Sequence, residues 1–197
     1  ISAANLSVTN TIQLPKASQP FGLVFSPDGT NAYVVLEAKG QLLKLNAAST
    51  EAIATIDIGS HPRNLSSTAD GRTLLVSRYI TAPLPGESTA NVDTNNSGGE
   101  MLVVNANTME VRRTIVLRHS DKLDSPTQGA GVPNYLGAAA ISPDGTSAWV
   151  PSKQDNIKRG KLRNGLDLDF QNTIRAISSQ INLANLTENY ARRVDHD

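Results

Sequence analysis

The sequence predicts an all-β protein built as a β-propeller, because three markers recur along the chain in the same order. Each unit contains a proline, then an Asp-Gly pair that leads into an apolar strand, and later an Asn-to-Glu segment rich in small polar residues. Pro20 and Pro62 are 42 residues apart, as are Asp28 and Asp70, and this is the length of one propeller blade. We therefore predict three four-stranded blades, preceded by the outer strand of another blade.

The first half of each blade is an inner strand, an Asp-Gly turn and a second strand. Asp-Gly between apolar runs is a strong hairpin signal, because glycine accepts the positive φ that such turns require. In the third unit Pro133 precedes Asp144 by ten intervening residues rather than seven. The inner strands are predicted at 21–26, 63–68 and 135–142, within blades that span 20–58, 62–117 and 133–195 of one propeller segment, 1–197.

The second half of each blade places a polar turn between the third and fourth strands. These turns begin at Asn46, Asn105 and Asn182, since Asn side chains bond their own backbone in turns. Fourth strands are predicted at 54–58, 113–117 and 191–195, and the matching segment 10–14 is interpreted as the outer strand of a preceding blade.

Two alternatives to this architecture are open at the level of sequence. Phe170, Ile174, Ile177 and Ile181 fall at helical spacing, although the repeat phase favours a strand from about Ile174. A β-sandwich of short strands is the other alternative, but it leaves the in-phase markers without an explanation.

Composition excludes several classes of protein. Eighteen basic and eighteen acidic residues balance, so no global field attracts nucleic acid. The apolar runs are too short to span a membrane. There is no cysteine, which excludes disulfides, thiolate zinc sites and covalent haem attachment within these residues. Because the chain begins at Ile1, we interpret it as a mature or trimmed form whose targeting signal is missing.

The repeat resembles the YVTN-type β-propeller repeat of bacterial and archaeal surface-layer-like proteins. The likeness rests on the proline, the seven intervening residues, the Asp-Gly pair and the strand Tyr33 to Leu36. It implies a ring of about seven blades, related in fold to the β-chain of quinoprotein amine dehydrogenases, and an extracytoplasmic location at the cell surface or in the periplasm.

A second likeness covers residues 151–160 and 168–176. These resemble a segment of large bacterial propeller proteins that continue into a di-haem cytochrome c peroxidase-like domain. The resemblance implies no cofactor within this chain and haem in a downstream domain of a longer parent.

Three blades are too few to close a ring, since propellers generally have four or more. The chain is therefore expected to be a fragment or to assemble with a second copy. An open propeller exposes apolar faces of its terminal blades, which favours self-association.

Three insertions, 80–99, 119–132 and 153–172, are predicted to leave the blades on the face opposite the Asp-Gly tips. Loops this long are more often functional than shorter ones. The first insertion carries a weak calcium candidate formed by Asp93, Asn95 and Asn96, because oxygen ligands suit Ca²⁺. The third is locally basic and suits an anionic ligand or an acidic partner.

Residues near the strand ends on that face are candidate contacts for a ligand or a partner. They are Arg63, Arg78, Asn134, Tyr135, Lys153, Asp155, Lys158, Arg159 and Arg163.

No catalytic constellation emerges from the sequence. His61, His119 and His196 fall at blade junctions or in loops, and His61 has the turn position that Gln19 has in the first blade. The leading hypothesis is a non-catalytic scaffold that binds a protein, a glycan or a partner domain through the insertion face. The alternatives are a propeller module of a haem peroxidase or electron-transfer protein, and a lactonase-like propeller hydrolase with a divalent metal.

Overall fold

Three antiparallel β-sheets follow one another along the chain in the computed structural model. It describes residues 1–2, 4–81, 98–125, 127–156 and 173–196. Seven residues singled out from the sequence lie outside these ranges: Asp93, Asn95, Asn96, Lys158, Arg159, Arg163 and Phe170.

The first two sheets have the same simple up-and-down order. The first consists of β1 (Pro20–Phe25), β2 (Asn31–Leu36), β3 (Gln41–Asn46) and β4 (Ala52–Asp57). The second consists of β5 (Pro62–Ser67), β6 (Thr73–Arg78), β7 (Gly98–Asn105) and β8 (Glu110–Arg118). β7 therefore includes Gly98 and Gly99, which the sequence prediction assigned to the first insertion.

Each Asp-Gly pair forms the tight turn that the sequence predicts. Gly29, Gly71 and Gly145 have φ values of 70°, 68° and 67°, a region that glycine enters without steric cost. The Asp side chain closes the turn: Asp28 Oδ1 accepts the Ser26 hydroxyl at 2.5 Å and the Thr30 N–H at 3.0 Å. The same bonds recur at Asp70 and Asp144.

The Asn-initiated turns are confirmed in all three sheets. Asn46 Oδ1 accepts the N–H groups of Ala48 and Ser49, both at 2.9 Å. Asn105 and Asn182 make equivalent bonds. The residue four positions after each Asn has positive φ, namely Thr50, Met109 and Leu186. The side-chain bond thus stabilises the same backbone shape with different residues at its strained position.

The third sheet differs from the prediction in its inner strand. Its strands are β9 (Ser120–Ser125), β10 (Gln128–Asn134), β11 (Ala140–Ile141), β12 (Ser147–Asp155), β13 (Ile174–Asn182), β14 (Thr187–Glu188) and β15 (Val194–Asp195). The expected strand 135–142 is only the short β11, which pairs with one half of β12, while β10 pairs with the other half. The strand from Ile174 is confirmed as β13, and the fourth strand is divided between β14 and β15.

The segment 119–132, predicted as a polar loop, is mostly the β9–β10 hairpin, so that prediction is wrong. One of its two glycines, Gly131, allows close packing of the backbone. A Cβ atom on Gly131 would lie 2.4 Å from the carbonyl oxygen of Asp155, on the neighbouring β12. Likewise β12 continues to Asp155, so the third insertion begins later than the predicted residue 153.

The segment 10–14, expected as an outer strand, forms no strand in the described part of the chain. Leu14 packs instead against an apolar face of the first sheet. A lone outer strand needs the other strands of its blade to complete its ladder, and the first sheet already has four strands.

The core lies between the sheets. Tyr33, Val35 and Leu42 of the first sheet pack against Leu74, Val76 and Leu102 of the second. The opposite face of the second sheet packs in the same way against the third. Successive antiparallel sheets that pack face to face in this order are the blades of a β-propeller. In the described residues, no helix has the length and apolar character needed to cross a membrane.

Candidate functional site at the insertion rim

Several polar side chains lie at the end of the blades where the described chain stops before residues 82–97 and 157–172, and we call this end the insertion rim. The rim is defined by the starts of β1 and β5, the ends of β2 and β6, and residues 134–135 and 153–155 of the third sheet. The Asp-Gly tips lie at the opposite end. The chain leaves the described structure at this rim after Thr81 and after Asn156.

Two backbone positions of the repeat build the rim. Nine residues before each Asp-Gly aspartate stand Gln19, His61 and Tyr135, with φ values of 48°, 54° and 52°. Leu136 therefore occupies the place of Pro20 and Pro62, and the third blade has the same spacing as the others. The prediction that Pro133 is the equivalent proline is wrong by three residues.

Nine residues after each of those aspartates stand Glu37, Tyr79 and Lys153. Glu37 and Tyr79 directly follow β2 and β6, whereas Lys153 lies within the longer β12. The backbone N–H of Tyr79 donates to the carbonyl of His61 at 2.8 Å, and that of Glu37 donates to Gln19 at 3.0 Å.

These positions form a continuous stack of charged and aromatic groups across the blades. The Arg63 guanidinium carbon lies 3.5 Å from the centre of the Tyr79 ring. The Tyr79 and Tyr135 rings are parallel within 8°, with centres 4.6 Å apart. Lys153 Nζ lies 3.9 Å from the centre of the Tyr135 ring. Such cation–π and stacked contacts each stabilise the arrangement by about 0.5–1.5 kcal/mol.

Both ends of the stack are closed by ion pairs. Arg63 Nε donates to Glu37 Oε2 at 2.8 Å, with Glu37 only 11% exposed at its side chain. Lys153 Nζ lies 2.9 Å from Asp155 Oδ1. The cations are thereby neutralised and held in place, so the described part of the rim has no excess charge.

Asn134 connects the stack to the first insertion. Its Oδ1 accepts the N–H groups of Thr81 and Tyr135, both at 2.9 Å, and its Nδ2 donates to Asp155 Oδ2 at 2.8 Å. The Thr81 hydroxyl donates to the carbonyl of Pro133 at 2.6 Å. One amide therefore fixes both the point where residues 82–97 begin and the backbone of the exposed tyrosine.

Arg78 lies at the rim but is held inside the blade junction. Its Nε donates to Glu100 Oε2 at 2.6 Å, and its Nη atoms donate to the carbonyls of Ser60 and Ile58 at 2.5 and 2.8 Å. These bonds join the first sheet to the second. The geometry thus gives Arg78 a positioning role between blades.

Five of the candidate contact residues are thus brought together, namely Arg63, Asn134, Tyr135, Lys153 and Asp155. The sequence interpretation missed Tyr79, which lies at the centre of the stack, and also Glu37. Counting nine residues forward from each Asp-Gly aspartate would have found both. Glu37, Tyr79 and Lys153 are unlike residue types, so their equivalence in the repeat could not be recognised from residue type.

The histidines are apart from one another. His61 has positive φ at the start of β5, His119 is 1% exposed, and His196 Nε2 lies 2.9 Å from Ser178 Oγ. Among the residues that the structure describes, no group of three or more His, Cys, Asp or Glu side chains is placed to bind a metal ion.

The two tyrosines at the rim expose the edges of their rings rather than the ring faces. Tyr79 lies between Arg63 and Tyr135, and Tyr135 lies between Tyr79 and Lys153, so the faces of both rings are occupied. Tyr135 is nevertheless 44% exposed and Phe21 is 56% exposed. The surface can therefore bind through ring edges, the tyrosine hydroxyl and the exposed parts of two ion pairs.

Comparisons with solved structures find several similar chains. The chain is similar to a candidate 6-phosphogluconolactonase from Bacteroides uniformis, with 14% identity, a TM-score of 0.50, and coverage of 89% of this chain and 40% of that one. It is also similar to a eukaryotic initiation factor, with 9% identity, a TM-score of 0.52, and coverage of 94% of this chain and 34% of that one. The Cps50 (Swd1) β-propeller domain of Myceliophteria thermophila matches with 14% identity, a TM-score of 0.47, and coverage of 90% and 44%.

The chain thus spans two fifths or less of the first two structures. At these identities the likeness concerns the fold alone. No protein-family model matches the sequence, and no curated protein matches it.

Proposed function

We propose that this chain is part of a non-catalytic β-propeller scaffold that binds a protein partner through its insertion rim. The observation that carries the proposal is the stack of Arg63, Tyr79, Tyr135 and Lys153, which the second and third blades build at one exposed edge. Tyr, Phe and Arg are enriched where proteins contact each other, and the rim combines all three.

The occupied ring faces favour a protein over a glycan. A sugar ring stacks on the open face of an aromatic side chain, and here Lys153 would have to leave the face of Tyr135, where its ammonium lies 3.9 Å from the ring centre. A protein partner can instead use the ring edges, the hydroxyl groups and the rim carboxylates without rearranging the stack. Pre-organised side chains also lose little conformational entropy on binding.

Membership of the YVTN-type repeat family and an extracytoplasmic location are part of the same proposal. They rest on the resemblance of the Pro, Asp-Gly and Tyr33-to-Leu36 pattern to surface-layer-like repeats. Fractionation of cells that produce the protein tests the location, and recovery in the cytoplasmic fraction contradicts it.

Two alternatives make different chemical predictions. A lactonase-like hydrolase requires a bound divalent metal, which metal analysis of the purified protein detects. A propeller module of a haem protein requires a haem domain in the parent, which the absorbance of the parent protein detects. Either finding would replace the scaffold proposal.

Photo-crosslinking tests the scaffold proposal at the rim itself. A photoreactive phenylalanine analogue at position 135 keeps the ring in place, and irradiation in the producing cells is expected to give a discrete adduct with one other protein. The matched control carries the analogue at Val111, which is 42% exposed on the outer strand β8, away from the rim. Equal background at both positions contradicts the proposal.

A glycan array tests the opposing hypothesis that the rim binds a sugar. A glycan that binds the wild type but not a Tyr135→Ala variant would show that the rim takes a sugar rather than a protein.

A further inference from the structure

A polar cavity lies on the outer side of the junction between the second and third blades. It has a volume of about 430 Å³ and lies between β8 of the second blade and β14 of the third, with the 3₁₀ turn that begins at Tyr190 beside it. None of the residues of the charged and aromatic stack lines it. Both walls are formed by described residues of this chain, so the geometry of the cavity does not depend on any further blade.

The third blade holds the backbone of Arg118 from two sides. Glu188 Oε2 accepts the N–H of Arg118 at 2.9 Å, and Arg193 Nη2 donates to the carbonyl of Arg118 at 2.6 Å. Arg193 and Glu188 also form an ion pair with each other at 2.5 Å, with side chains that are only 7% and 4% exposed. The charge of Glu188 is therefore neutralised, and the pair positions Arg118 without using its side chain.

The side chain of Arg118 lies against an aromatic ring. Its guanidinium carbon is 3.7 Å from the centre of the Tyr190 ring, and its Nε atom is buried without a hydrogen-bond partner among the described residues. Such buried N–H groups are uncommon, because an N–H group without an acceptor destabilises the fold. An arginine stacked on a ring still presents its N–H groups in the guanidinium plane, where they match the oxygen atoms of a phosphate group.

Arg113 adds a second cation to the same cavity. It lines the cavity from β8, and its side chain is exposed. In the described part of the chain, neither Arg113 nor Arg118 forms an ion pair with a carboxylate. The cavity therefore carries two positive charges that are not balanced, and a phosphate group carries up to about two negative charges near pH 7.

We propose that this cavity binds the phosphate group of a small ligand. Arg118 donates hydrogen bonds in the plane of its guanidinium, Arg113 supplies the second positive charge, and Thr114, which also lines the cavity, offers a hydroxyl group. Glu188 and Arg193 are positioning residues, because they fix the backbone of Arg118 across the blade junction. The site is separate from the insertion rim, so the inference is independent of the proposed partner there.

Calorimetric titration of the purified protein with inorganic phosphate, at constant ionic strength, tests the proposal. We expect saturable binding of one phosphate per chain, with an affinity that falls by at least about tenfold in Arg118→Gln, because hydrogen bonds to a charged group are lost. Arg113→Gln should also weaken binding. Because the Arg113 side chain is exposed, this second variant keeps the fold even if Arg118→Gln disturbs the contact with Tyr190, and circular dichroism checks the folding of each variant.

Arg112→Gln is the matched control. It removes the same charge from the neighbouring position of β8, and Arg112 lines a different cavity, beside Asp70 and Asp144. Because salt screens exposed charges that do not contact the ligand, this variant should change the affinity for phosphate by less than about twofold.

NMR of the arginine side chains identifies the atom that binds. The Nε–H signal of Arg118, assigned by its loss in Arg118→Gln, should shift when phosphate is added, whereas the signal of Arg112 should stay in place. Competition between glycerol 3-phosphate and inorganic phosphate distinguishes the two sources of the group. Displacement shows that the site accepts a phosphomonoester, and binding of inorganic phosphate alone identifies the free ion as the ligand.

Four outcomes overturn the proposal. They are the absence of saturable phosphate binding, an equal loss of affinity in Arg112→Gln, an Nε–H signal of Arg118 that phosphate leaves in place, and binding of an acidic peptide by a cavity that does not bind phosphate. The last result would assign the cavity to a protein partner instead.

Discussion

At the scale of single residues, the most regular chemistry of this protein is at its Asp-Gly tips. Each aspartate accepts a hydroxyl from the residue two positions before it and a backbone N–H from the residue two positions after it. Hydrogen bonds to the charged form lower the pKa of a carboxyl group. The pKa of Asp28 is accordingly lowered from 3.8 to about 2, with the Ser26 hydroxyl as the largest cause.

We expect the Asp28 carboxyl to titrate near pH 2 in an NMR experiment, and Ser26→Ala to move its midpoint up towards 3.8. A carboxyl whose pKa is lower in the folded state stabilises the fold above its unfolded pKa, and this contribution is lost as the pH falls through the folded pKa. The turn is therefore predicted to weaken between about pH 4 and pH 2.

A Ser7→Ala variant is the control for this titration, because the Ser7 hydroxyl donates to Asn5 near the N-terminus rather than to Asp28. An Asp28 midpoint that stays in place in Ser26→Ala would show that the hydroxyl does not set the pKa.

Local chemistry of this kind could be predicted from the sequence, whereas the stack at the rim could not. The conformation of an Asp-Gly turn or an Asn-initiated turn is determined within six residues, so the residue types alone indicate the turn. Tyr79 and Tyr135 are 56 residues apart in sequence and belong to different blades. Their contact follows from the angle between two sheets, which no short motif encodes.

At the scale of strands and sheets, the third blade differs from the others because its second strand is longer. β12 continues three residues beyond the repeat position of Arg78, and the β9–β10 hairpin pairs with the added length. The sequence prediction aligned Pro133 with the earlier prolines because proline was the visible marker. The structure aligns Leu136 there instead, because it follows a residue in the left-handed conformation, as Pro20 and Pro62 do.

The stacked tyrosines are predicted to couple the second and third blades. Tyr79→Ala and Tyr135→Ala should each destabilise the fold, and in the double variant the two effects should fall short of additivity by about 0.5–1.5 kcal/mol, measured by chemical denaturation. Parallel rings with centres 4.6 Å apart account for this coupling.

The combination of Tyr79→Ala with Tyr190→Ala is the control for this double-variant comparison. The Tyr190 ring contacts Arg118 and Arg193, with no contact to Tyr79 among the described residues. Tyr79→Ala and Tyr190→Ala should therefore add within about 0.3–0.5 kcal/mol. If the effects of Tyr79→Ala and Tyr135→Ala were also additive, the stacked rings would not contribute to joining the blades.

At the scale of the whole molecule, the sequence predicted the number and order of the sheets because every blade repeats the same hairpins. It also predicted that an open propeller exposes apolar faces. Which residues remain exposed on those faces depends on packing: Leu23 and Leu65 are equivalent in sequence, yet they are 53% and 6% exposed.

The shared backbone geometry of Gln19, His61 and Tyr135 has a consequence for the evolution of this surface. An amide, an imidazole and a phenol occupy the same left-handed conformation at this position of the three blades. Gene duplication of a blade therefore copies a position whose side chain is free to diverge while its backbone is preserved. New recognition chemistry can accumulate around the ring one blade at a time, at little cost to folding.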